Sequence, residues 1–133
     1  MRSDGLITIE SRFPVSQTID RLADAATAAG LVVFARVDHA KGAQEVGLEL
    51  RPTELLIFGN PKGGTPLMQD KQTAGIDLPV KALAWEDEGG QVWLGYNDTD
   101  WLARRHQLGA TSAQALTAMR AGTAKLASAA AGT

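Results

Sequence analysis

Hydrophobic positions along this chain alternate in short runs and recur at helical spacing in two longer ones. Leu6 to Phe13 alternates, with Ile7 and Ile9 on one face and Thr8 and Glu10 on the other, and predicts a first strand that Pro14 ends. Ser16 fits the N-cap of a helix to Ala29, whose Ile19, Leu22, Ala23 and Ala26 form one apolar stripe. Gly30 then stands where a helix-ending glycine belongs. Leu31 to Asp38 predicts the second strand, His39 to Glu45 a polar loop, and Val46 to Pro52 an irregular connector or short helix. The third strand, Glu54 to Gly59, has Leu55 and Ile57 on one face and Leu56 and Phe58 on the other, so both faces of the sheet are expected to be covered there.

A glycine-rich run, Gly59 to Thr65, follows, and then a short helix with Thr65 as N-cap and Pro66 at its first position. Val80 to Glu86 and Gln91 to Asn97 predict a fourth and fifth strand joined by a two-residue turn, Gly89–Gly90. That turn sets Trp85 opposite Leu94 and Leu83 opposite Tyr96 as one apolar face, and turns Trp93 to the other face with Glu86. Asp98 or Thr99 caps a helical turn through Trp101, Leu102 and Arg105. A last helix runs from Ser112 to Ala130, and its alanine-rich end, with strong helix propensity and little to bury, is expected to fray. The order β-α-β-β-β-β-α predicts a two-layer α+β fold: a five-stranded, mostly antiparallel sheet, two long helices on one face, and short extra helices.

Several stretches together resemble a known family. GNPKGGTPLMQ from Gly59, DLPVKALAWED from Asp77, VWLGYND from Val92, FARVDHAKGA from Phe34 and ARRH from Ala103 look like the pattern of domain of unknown function 302. The resemblance covers residues 5 to 108 and leaves out the last helix, 112 to 130. It implies a fold similar to TATA-binding-protein-like domains, and no function comes with it.

A chain of 133 residues fits one domain. Its net charge of −2 gives no electrostatic reason to expect nucleic acid or an anionic membrane as partner. With no cysteine, disulfides, thiolate nucleophiles and Cys-ligated metals are excluded. No apolar run has signal-peptide or membrane-spanning length, so a cytoplasmic protein without a membrane partner is expected.

The first candidate for chemistry is the glycine-rich run. A strand, a glycine loop and a helix start can gather free backbone N–H groups, here those of Gly63, Gly64 and Thr65, with Asn60 and the charge of Lys62 beside them. This would suit a small anionic or polar ligand. Lys62 precedes the glycines, unlike a nucleotide P-loop, and the competing reading is a tight turn with a solvated lysine. His39 and His106 are candidates to line the same pocket, or to act as general base or metal ligands with Asp38, Glu86, Asp87 or Asp98. No HxH or HxxxH spacing supports a metal, none is assigned, and ordinary structural histidines are the competing reading. Trp93 marks either a subunit interface or ligand-stacking surface, or a side chain partly buried under residues 68 to 78. The leading expectation is a soluble homodimeric domain that binds a small ligand at 59–66. The rivals are an enzyme using His39 or His106 and an interaction module on the Trp93 face. Any cofactor stays open.

Overall fold

A computed structural model describes residues 2–133. Five strands carry the sheet: β2 (Leu6–Ser11), β3 (Val32–Asp38), β4 (Thr53–Gly59), β5 (Val80–Glu86) and β6 (Val92–Asn97), with the two-residue β1 (Arg2–Ser3) added at one edge. All pairings are antiparallel, in the order β1-β2-β6-β5-β4-β3. The helices are α1 (Val15–Ala28), α2 (His39–Glu45), α3 (Pro61–Asp70), α4 (Thr99–His106) and α5 (Ala113–Ala131), with 3-10 turns at Gln72–Asp77 and Ala110–Ser112. This is the α+β architecture that the hydrophobic pattern predicts.

The long helices α1 and α5 cover one face of the sheet. Ile19, Leu22 and Ala26 of α1 are buried against Leu56, Phe58, Ala84 and Leu94, and Ala127 and Ala130 of α5 complete that cluster. Each large aliphatic side chain so buried contributes about 1.5–3 kcal/mol, which makes this layer contact the main source of stability. Along β4 the even positions Glu54, Leu56 and Phe58 are buried, while Leu55 and Ile57 are only half-buried. The two long helices thus cover one face, and on the other face of β4 this chain itself leaves Leu55 and Ile57 half-covered. Glu54 is tolerated among these apolar groups because Arg36 donates to it at 2.8 Å and reaches Asp20 at 2.6 Å.

Local hydrogen bonding explains where the elements depart from expectation. α1 starts at Val15 behind Pro14, and Ser16 is not its cap. Residues 39–45 form a helix, not a loop, because the Asp38 carboxylate accepts from the Lys41 N–H and caps it. Between β5 and β6, Asp87 organises a loop through bonds from the Gly89 and Gln91 N–H groups, and Gly90 adopts φ +87°. The loop has one residue more than a two-residue turn, so Trp85 pairs with Trp93 and Ala84 with Leu94. Trp85 and Leu83 therefore lie on the helix-free face with Trp93, and it is Ala82 and Ala84 that join Leu94 and Tyr96 in the core.

The far end of α5 is fastened and does not stand free. Arg12 donates its backbone N–H to Ala131 at 3.0 Å. Arg21 of α1 donates to the Ala130 and Ala129 carbonyls at 3.1 and 2.8 Å, and Ala130 and Ala131 are fully buried. The expected fraying is corrected: alanines have little to bury singly, but here they are small enough to let α5 lie close on the β2–α1 junction.

Candidate functional site

The glycine-rich run is not a loop. Asn60 is the N-cap of α3: its side chain accepts from the Lys62 N–H at 2.9 Å, and Pro61 takes the first helical position. Helix geometry then consumes the donors that an anion cradle would need. The Gly63 and Gly64 N–H groups both donate to the Asn60 carbonyl, at 2.8 and 3.1 Å. Thr65 lies inside the helix, not at its start. Five of the expected ligand residues, Asn60, Lys62, Gly63, Gly64 and Thr65, do share one feature: they line the α3 side of an open cleft of about 670 Å³.

The rest of the cleft comes from distant parts of the chain. Leu31 and Phe34 close one end, Phe58 and Val80 form the floor, and Ala118, Met119, Gly122 and Leu126 of α5 make the far wall. The register of β3 on β4 jumps between Val33 and Ala35, leaving Phe34 as the extra residue of a bulge. Bulges re-aim side chains, and this one delivers the Phe34 ring to the cleft. Sequence reasoning missed Phe34 because a bulge has no periodic signature. A glycine inside the helical run of α5 was the one available signal for the far wall.

The carboxylate of Asp70 fixes the separation of the two walls. At the end of α3 it accepts from the Gly109 N–H at 2.9 Å and the Ser112 hydroxyl at 2.7 Å, just before α5 begins. These bonds, the Gly109 N–H foremost, lower the Asp70 pKa below the usual carboxylate value.

Neither histidine lines this cleft. His106 is buried at the end of α4, with Nε2 2.6 Å from Asp77 Oδ2 and Nδ1 3.2 Å from Thr73 Oγ1. Arg105 also holds Asp77, through both carboxylate oxygens at 3.0 Å. His39 is exposed at the first position of α2. Three of the four carboxylates offered as their partners work elsewhere: Asp38 and Asp98 cap helices, and Asp87 orders the hairpin. Trp93 is half-buried, and its indole N–H donates to Asp87 Oδ2 at 2.9 Å, the first cause of a lowered Asp87 pKa.

Comparison with known proteins adds what geometry does not. A model of the family described as Domain of unknown function DUF302 matches residues 7–126. A solved structure of an uncharacterized conserved DUF302 protein from Bacillus stearothermophilus superposes with a TM-score of 0.84 at 19% identity, covering 96% of this chain and 99% of that one. That likeness shows the fold. Among curated proteins, one of Brucella suis named "Fluoride-specific ion channel FluC 1" is 58% identical over 128 residues, 96% of this chain and 50% of that protein. A protein of the same name in Brucella abortus is also 58% identical, with 47% of its length covered. The chain thus spans about half the length of these relatives.

These names overturn the expectation of a soluble, cytoplasmic small-ligand binder with no membrane partner. Proteins this similar over nearly the whole chain are named as ion channels, and an ion channel acts in a membrane. No helix among the described residues is long and apolar enough to cross one.

Proposed function

We propose, because this chain belongs to the DUF302 family and is 58% identical to proteins named as fluoride-specific ion channels, that it works at a membrane as a folded domain of a fluoride-channel assembly. The observation that carries this reading is the pair of coverages. The match takes in 96% of this chain and only about half of each relative. On this reading the other half of the relatives supplies the ion path, and the fold described here sits beside it.

The helices are consistent with that division of labour. A helical path across a bilayer needs roughly 20 consecutive apolar residues per helix. The longest helix, α5, has 19 residues, carries Arg120 and Lys125, and packs its alanines on α1 and the sheet. Its buried side is taken up by this domain and its exposed side carries Arg120 and Lys125, so it does not present apolar side chains to lipid around its whole circumference.

The test is reconstitution. The Brucella suis relative is placed in liposomes intact and with the segment matching this chain deleted, and fluoride release is followed with an electrode. Intact protein is expected to release trapped fluoride, and this chain alone to release none. Supplied separately, this chain is expected to co-float with liposomes bearing the deletion variant and not with empty ones. Fluoride release by the chain alone, or no co-flotation with the deletion variant, overturns the proposal.

A further inference from the structure

The cleft between α3 and α5 is a gap in the hydrophobic core, and we infer that it binds the hydrocarbon chain of a fatty acid, with Lys62 at the carboxylate. This stands on the cleft alone and does not rest on the channel reading.

Four observations converge on it. Buried apolar residues fall into two clusters, one around Leu56, Phe58 and Leu94 and one around Leu67, Ala74 and Leu116. The cleft lies between them, walled by half-buried Leu31, Val80 and Leu126 from the first and by Met68, Leu78 and Met119 from the second. Apolar surface that a closed core would cover is left facing an opening of about 670 Å³, a size typical of small-molecule sites.

Next, the β3 bulge places Phe34 at the rim although the residue stays 51% exposed, an arrangement with no packing benefit until something apolar lies against it. Third, opposite walls carry helix glycines where a side chain would fit. A Cβ built at Gly63 or Gly122 meets nothing within 4 Å, so the space there is open and not close-packed. Fourth, Lys62 is the one charged residue of the lining, and among the described residues its ammonium has no hydrogen bond or ion pair.

Those features select the ligand. A sugar or nucleotide would bring more polar groups than this mostly apolar lining, whose polar side chains besides Lys62 are Asn60, Thr65, Thr111, Gln114 and Thr123, can pair with. A hydrocarbon chain needs none, and a single anionic head matches a single cation on the positive first turn of α3. Because Asn60 already accepts the Gly63 and Gly64 N–H groups, the carboxylate meets the ammonium of Lys62 and not a backbone cradle.

The experiment is calorimetric titration with saturated fatty acids of eight to fourteen carbons, below their micellar concentrations, beside alcohols of equal length. Kd is expected to tighten about fourfold per added methylene until the cleft is filled. Acids are expected to bind more tightly than alcohols in the native chain and equally in Lys62→Gln. Gly122→Leu and Ala118→Leu, at exposed positions on the far wall, should each weaken binding roughly tenfold or more while keeping the native circular dichroism and a single cooperative melting transition no lower than that of the native chain. Two leucine variants at different turns keep the test decisive should one disturb the helix. No binding, binding without chain-length dependence, or binding unchanged in a folded leucine variant overturns the inference. A peptide or protein occupant would show itself as that last outcome or as no binding.

Discussion

Two glycines show how little the residue type says until its surroundings are known. Gly95 of β6 lies under the Trp85 ring, where an added Cβ would sit 2.9 Å from Cζ3 and 3.1 Å from Cη2. Gly95→Ala is therefore expected to destabilise by about 1–3 kcal/mol, since the ring must move off its neighbours. Gly122 of α5 faces open space, and glycine in a helix interior costs about 1 kcal/mol relative to alanine. Gly122→Ala should accordingly stabilise by roughly 0.5–1 kcal/mol. Urea unfolding of both variants checks the pair, and a stabilised Gly95→Ala would mean that Trp85 does not rest on Gly95 in solution. Sequence alone could not separate these glycines, because what distinguishes them is a tryptophan ring ten positions away in one case and empty space in the other.

At the scale of elements, most of the strands and helices were legible because burial on one face imposes a period, and β2, α1, β4, β5 and β6 carry theirs plainly. What escaped was side-chain-to-backbone chemistry. Asn60 starts α3 five residues before Thr65, and Asp87 adds a residue to the hairpin that flips Trp85 across the sheet. Both signals are polar residues at turn positions, which compete with more obvious Gly and Pro signals nearby. Asp70 is a third such group, and it yields a pH prediction. Its folded pKa is lowered by the Gly109 N–H and the Ser112 hydroxyl, so its contribution to stability is present above the unfolded carboxylate pKa of about 4. That contribution is lost as pH falls through the lowered folded value. In Asp70→Asn the urea midpoint should drop at pH 7, and the further drop between pH 7 and pH 3 should be smaller than in the native chain. An unchanged pH response would mean that another carboxylate governs acid stability.

For the whole molecule, the fold was readable while the cleft was not. The elements and layers follow from local patterns, but the strand order, with β2 beside β6, does not. Nor does the cleft, which joins residues near 31–34, 58–68 and 111–126, because no local pattern records that two core clusters fail to meet. The same long-range logic governs the end of α5. Judged by propensity alone it frays, yet Arg21 grips its last carbonyls through two hydrogen bonds while its guanidinium lies 4.1 Å from the centre of the Phe13 ring. Hydrogen bonds from a charged donor are worth about 1.5–3 kcal/mol, so Arg21→Ala should lower stability by that order. Arg21→Lys keeps the charge but not the fork that spans two carbonyls, and should recover only part of the loss. Amide hydrogen exchange locates the effect: in Arg21→Ala, protection should fall first at residues 127–131, before the centre of α5. If those amides exchange freely in the native chain as well, α5 ends where its alanine run begins, and its closing contact with the β2–α1 junction contributes nothing to holding the two layers together.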